Sequence, residues 1–146
     1  MIPVLVLLGF AAWTLLVLLG SIGVYRWYRI LAGTSSIVEW RADLQQGSDW
    51  YQRAMRAHMN CVENLPVYTA LVVAIVATGL ESPTIDALAA AILPARIGQT
   101  MVHVALRPSN AVNGLRFGLF SVQFAAMAAI GIIVAASLLG KSALPA

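Results

Sequence analysis

The chain has 146 residues, 60% of them hydrophobic and only 10% charged, with a mean hydropathy of +0.83. So little charge does not cover the surface of a soluble domain of this size, which makes this an integral membrane protein. The net charge of +3 comes from arginines scattered at helix ends rather than from a Lys-rich tract, a pattern that argues against nucleic acid as a partner. A single cysteine, Cys61, rules out an intrachain disulfide and reads as a packing residue.

The first apolar block, Ile2 to Tyr25, carries no charge over 24 residues. It lacks a positive segment before it and is too long for the apolar part of a secretory signal, so it reads as a retained span, helix 1, over about 2–28. Arg26 and Arg29 follow, and Tyr25, Trp27 and Tyr28 fit an interfacial aromatic belt. The polar connection from Leu31 to Ser48 is expected to be a loop with a short helix around Val38 to Gln45. Helix 2, about 49–79, starts behind a Ser48 N-cap with Asp49 in the first turn. Pro66 lies inside it as a kink that neighbouring helices can satisfy. After the turn at Glu81, Ser82 and Pro83, helix 3 is expected over about 84–106, with Pro94 inside it. Arg107, Pro108, Ser109 and Asn110 break the chain before helix 4, about 112–139. The sequence thus predicts one all-α domain over residues 1–146, a four-transmembrane-helix bundle.

Basic residues concentrate around the first connection (Arg26, Arg29, Arg41, Arg53, Arg56) and the third (Arg107, Arg116), whereas the second holds only Glu81 and Asp86. The positive-inside rule then places the first and third connections in the cytoplasm and both termini on the non-cytoplasmic side. For a bacterial-type cell the expected location is the inner membrane, with the site facing the cytoplasm.

The segment from Arg53 to Pro66 is the most informative. The apolar run after it, Leu65 to Leu80, has 16 residues, short of the roughly 20 that cross a bilayer. Helix 2 must therefore carry its polar half into or against the membrane. At 100° per residue, Arg53, Arg56, Asn60 and Glu63 fall within roughly 80° of one face. Arg96, Gln99, His103 and Arg107 share a similar arc on helix 3, and Arg116 and Gln123 share a face of helix 4. Ionisable groups at that depth line a bundle interior, pair with one another or bind something polar. Arginines converge from three helices on one acid, Glu63, which is expected to be buried. The surplus positive charge asks for an anion with several acidic groups, either a carboxylate-rich peptide or a phosphate headgroup. Arg29, Arg41 and Arg107, at loop edges, read most simply as snorkelling to lipid phosphates. His58 lies off the helix 2 seam and reads as structural or interfacial.

The run Arg56-Ala57-His58-Met59-Asn60-Cys61-Val62-Glu63-Asn64-Leu65-Pro66 resembles the signature of the membrane-associated proteins in eicosanoid and glutathione metabolism, the MAPEG family. The resemblance implies a homotrimer of four-helix bundles that holds glutathione between subunits near the cytoplasmic face. By the same resemblance Arg53, Arg56, Asn60 and Glu63 hold the tripeptide, with Glu63 on its amine and the arginines on its carboxylates. Arg26 or Arg29 would help from helix 1, and Arg96, Gln99 and His103 from helix 3. Arg116 matches the family's catalytic arginine, which stabilises the glutathione thiolate. Two departures stand out: His103 occupies the place of a tyrosine in the synthases, and the stretch from His103 to Arg116 is a few residues longer.

The chemistry is physically reasonable. A free thiol has a pKa near 8.5, and lowering it by about 2 units needs roughly 2.7 kcal/mol of preference for the anion, within reach of one guanidinium. The implied function is a glutathione-dependent transferase or peroxidase acting on lipophilic electrophiles. These would enter from the lipid between helices 1 and 4, past Phe117, Phe120 and Phe124. The competing readings are a non-catalytic lipid- or ligand-binding scaffold of the same fold and a haem b carrier ligated by His58 and His103. No metal site is expected. A transporter fits poorly, because no inverted repeat is visible.

Overall fold

Segments that cannot leave backbone groups unpaired in lipid must form helices or closed barrels, and this chain forms helices. A computed structural model describes residues 1–41, 44 and 46–142, with the side chains of Lys141 and Ser142 outside that description. Four helices are long and apolar enough to cross a membrane: α1 (Ile2–Leu31), α2 (Asp49–Thr78), α3 (Pro83–Ala105) and α4 (Asn110–Ser142). Among the described residues there is no strand.

The helix starts follow local chemistry. The Ser48 hydroxyl accepts the Tyr51 N–H at 3.3 Å, the Ser82 hydroxyl that of Ile85 at 3.5 Å, and the Ser109 hydroxyl that of Val112 at 3.2 Å. These caps satisfy amides that the first turn leaves orphaned. Pro83 sits in the first turn, where its missing N–H costs nothing, so α3 begins one residue before its expected start. The Ser109 cap likewise brings the start of α4 forward to Asn110. Gly79, with φ of 61°, ends α2 in the left-handed conformation. Pro66 and Pro94 lie inside α2 and α3 without ending either.

Helix α1 contains a wider, π-helical turn over Leu18–Gly23, where the Val24 N–H reaches back to Leu19 O. The Ser21 hydroxyl donates to the Val17 carbonyl beside this turn. One extra residue per turn rotates everything after it by about 100° relative to a regular helix. That rotation turns Arg26 towards α2.

Within the bundle, α1 packs against α2 and α3, α3 packs along α4, and α2 touches both. The core joins Phe10 of α1, Tyr68 and Val72 of α2, Ile85 and Ile92 of α3, and Met127 and Ile130 of α4. Lipid is as apolar as this core, so dispersion and interhelical hydrogen bonds hold it. The Tyr68 hydroxyl donates to the Pro3 carbonyl at 3.1 Å. Gly9 permits close approach of α1 to α3, since a Cβ there would lie 2.6 Å from Leu93 Cδ2. The short helix expected around Val38 to Gln45 is a single 3-10 turn at Ile37–Glu39, and Ala42, Asp43 and Gln45 lie outside the described residues. The chain leaves that turn at Trp40, whose ring packs edge-on against Tyr25, itself stacked on Tyr51 at 4.6 Å.

Candidate functional site

The end of α1, the start of α2, the end of α3 and the start of α4 meet at one end of the bundle, and arginines stitch all three junctions. Arg26 of α1 donates its Nε to the Tyr51 hydroxyl of α2 at 2.6 Å. Its guanidinium lies 5.5 Å from the centre of the Trp40 ring and 5.7 Å from that of Tyr51. Arg53 of α2 is ion-paired with Asp49 and donates its Nε to the Val104 carbonyl of α3 at 3.3 Å. Arg116 of α4 donates Nη2 to the carbonyls of Val102, His103 and Leu106 at 3.5, 3.2 and 3.1 Å, and Nη1 to Asn113 Oδ1 at 3.2 Å. A helix end leaves orphan carbonyls and carries partial negative charge, and a guanidinium answers both. Arg29 is held by the Tyr25 hydroxyl and the Thr34 carbonyl, each at 3.3 Å.

The helix 3 seam points inward. Arg96 is 1% exposed and Gln99 6%, and both are enclosed with Gln123 within one chain. Arg96 Nη1 donates to Gln99 Oε1 at 2.9 Å, and Gln123 Nε2 donates to the same oxygen at 3.2 Å. Gln99 Nε2 reaches the Arg116 carbonyl at 3.4 Å. The Arg96 guanidinium lies 5.3 Å from the centre of the Phe10 ring, and its Nε and Nη2 have no protein partner. The seam expected to meet a ligand directly is therefore closed off at Arg96 and Gln99. His103, further along α3, is half-buried, and Arg107 is exposed. Cys61 packs in the core, 3.8 Å from the Thr100 hydroxyl.

The helix 2 stripe is split. Arg53 is buried, Asn60 half-buried, and Arg56 and Glu63 exposed. The expectation of a buried Glu63 fails within a single chain. Its physical reason is that an arc of roughly 80° straddles the boundary between the side of α2 packed on its neighbours and the side turned outward. Among the described residues neither Arg56 nor Glu63 makes a hydrogen bond or an ion pair. Phe117 and Phe124 also face outward, at 70% and 64% exposure, with Phe120 stacked on Phe124.

Two of the cavities among the described residues bear on this comparison. A cleft of about 200 Å³ at the arginine end brings Arg26 and Arg56 together with Trp40, Arg41 and Tyr51. Sequence reasoning did not place Trp40 or Tyr51 there, although a run of aromatics flanking arginines was a visible signal. A second cavity of about 580 Å³, near Glu81 and Asp86 at the far end, contains none of the expected site residues.

The profile of the MAPEG family matches residues 3–136. The chain belongs to the MAPEG family. No curated protein and no solved structure gives a match. As a MAPEG protein it is an integral membrane protein of a family whose chemistry centres on glutathione and eicosanoids.

The buried amide cluster gives a prediction of opposite signs. Gln99→Leu removes the acceptor of both Arg96 and Gln123 and should cost about 1–3 kcal/mol in thermal unfolding of the solubilised protein. Arg96→Leu removes the charge along with its unmet N–H groups and should be neutral or stabilising. Equal destabilisation by both would show that Arg96 has an anionic partner inside the fold.

Proposed function

We propose that this MAPEG protein is a glutathione-dependent membrane transferase or peroxidase that conjugates or reduces lipophilic electrophiles. The observation that carries this reading is the pair Arg56 and Glu63, exposed on α2 with no intrachain partner. Charges of both signs, two helical turns apart, suit a zwitterionic peptide that brings an amine to Glu63 and carboxylates to Arg56 and Arg26. Asn60 lies between them, and Arg53, Arg29 and His103 border the same end of the bundle. Arg96 and Gln99 support this surface from inside. An exposed charged stripe at membrane depth also needs covering, which a second subunit does, so the working particle is taken to be a homotrimer with the arginine end in the cytoplasm. The lipophilic substrate would approach along the outward-facing Phe117 and Phe124.

Thiolate stabilisation falls to Arg116. Its Nε is buried and has no partner in the single chain, and it is the donor that this reading assigns to a sulfur anion once the ligand and a neighbouring subunit are in place. The second reading, a non-catalytic binding protein of the same fold, draws on the same residue. The Nη1 and Nη2 groups of Arg116 are already engaged with Asn113 and the carbonyls of α3. A glutathione titration of the solubilised protein, followed by ultraviolet thiolate absorbance, separates the two. The enzyme shows a thiolate signal near neutral pH, and the scaffold shows none.

Three outcomes are expected. Glu63→Gln and Arg56→Ala each weaken glutathione binding about tenfold to a hundredfold. Without ligand they leave the unfolding temperature unchanged, because neither side chain has a partner to lose. Loss of stability without loss of affinity would remove them from the site. Arg116→Ala abolishes the thiolate signal, lowers turnover and moves the pH optimum up towards the pKa of the free thiol, while affinity changes only a few-fold. An unchanged signal would assign thiolate stabilisation elsewhere. The mass of the solubilised particle corresponds to three chains, and a monomer or dimer would contradict the shared site.

A further inference from the structure

Arg26 and Arg29 follow one another closely on α1, yet a stacked pair of tyrosines sends them different ways. The Tyr25 and Tyr51 rings lie 4.6 Å apart, with Trp40 packed against both. Tyr51 is 3% exposed, so its hydroxyl is a fixed acceptor inside the fold. It takes the Arg26 Nε–H at 2.6 Å, and the guanidinium rests over the Tyr51 and Trp40 rings. The Tyr25 hydroxyl instead takes an Arg29 N–H at 3.3 Å and the Ser48 N–H at 3.1 Å. Arg29 also holds the Thr34 carbonyl of the loop. Local backbone supports the tyrosine pair. The Ser48 side chain caps the Tyr51 amide. Gly47, at φ of 80°, leaves free the space of a Cβ that would lie 2.7 Å from Tyr51 Cδ1 and 3.3 Å from Tyr25 Cε1. With its Nε occupied, Arg26 keeps the edge formed by its two terminal nitrogens. Among the described residues the only acceptor at that edge is the Met55 sulfur, a weak one, 3.9 Å from Nη2.

We infer, resting on the glutathione reading above, that Tyr51 is a positioning residue of the thiol site that acts through Arg26. Its hydroxyl sets the plane of the guanidinium so that the terminal edge meets a glutathione carboxylate beside Arg56, which lines the same cleft. A bidentate guanidinium–carboxylate pair depends on that plane, and a side chain fixed beforehand gives up less entropy on binding. A tyrosine does this without a competing charge. A carboxylate in its place would claim the guanidinium, as Asp49 claims Arg53. Of the two arginines on α1, Arg26 is thereby the ligand contact and Arg29 the anchor of the first connection.

The experiment pairs two measurements on the solubilised full chain. Without ligand, the Arg26 Nε–H signal in NMR spectra of arginine-labelled protein is assigned by its absence in Arg26→Lys. It should be lost or shifted in Tyr51→Phe, which keeps the ring and removes only the acceptor. In a glutathione titration Tyr51→Phe should weaken binding about fivefold to tenfold, whereas Tyr25→Phe, which touches the same stack but releases Arg29, should stay within about twofold. In an Arg26→Gln background Tyr51→Phe should add nothing, because no guanidinium is left to orient. Arg26→Lys keeps the charge without the planar fork. It should lose about as much affinity as Tyr51→Phe, and it serves if Tyr51→Phe does not fold. An unchanged Nε–H signal in Tyr51→Phe, full affinity in Arg26→Lys, or equal losses in Tyr51→Phe and Tyr25→Phe would overturn the positioning role. So would additive losses in the double variant, or an unaltered affinity in Tyr51→Phe of a chain that does bind glutathione, and both leave the thiol reading standing. No glutathione binding by the unaltered chain would remove the thiol reading, and the positioning role with it.

Discussion

Where α3 ends, the carbonyls of its last turn have no following turn to pair with. Arg53 reaches Val104 O from α2, and Arg116 reaches the carbonyls of Val102, His103 and Leu106 from α4. The last turn of α3 is therefore gripped from both sides by cations that its partial negative charge favours. The relative positions of α2, α3 and α4 at this end follow from that grip. Arg26 extends it to α1 through Tyr51.

This arrangement changes what the arginines mean. Those bonded to carbonyls, like Arg53 and Arg116, are fixed by the fold, and Arg96 is enclosed with amides. A high count of cations at one end therefore does not by itself measure the demand for an anionic ligand. What does point to a ligand is narrower: a cation and an acid on the outer face of α2, Arg56 and Glu63, that make no hydrogen bond or ion pair among the described residues. Opposite charges placed in this way fit a zwitterion.

The four spans were legible because each needs a long apolar run, and their ends were legible to within a few residues from Ser48, Gly79 and the turn prolines. The family was legible from the run Arg56 to Pro66. The helical arithmetic put Arg53, Arg56, Asn60 and Glu63 on one face, but a spread of that width cannot say which members face their own bundle. That depends on how far α2 is rotated against α3, which is a tertiary quantity. The engagement of Arg116 with α3 was equally hidden, because carbonyl acceptors carry no sequence signal. The cleft escaped notice for a related reason: its residues come from three segments, and only the fold of the first connection brings Trp40 and Arg41 beside Arg26.

The wide turn at Leu18–Gly23 separates two jobs on one helix. The residues before it, Phe10 among them, seat α1 in the core, while those after it present Arg26. Shortening the turn by a single residue would restore regular winding and swing Arg26 through about 100°, away from Tyr51, with Phe10 left in place. The turn is a swivel whose setting is one residue of chain length. By it, the arginine-bearing end of α1 is re-aimed without re-packing the membrane core.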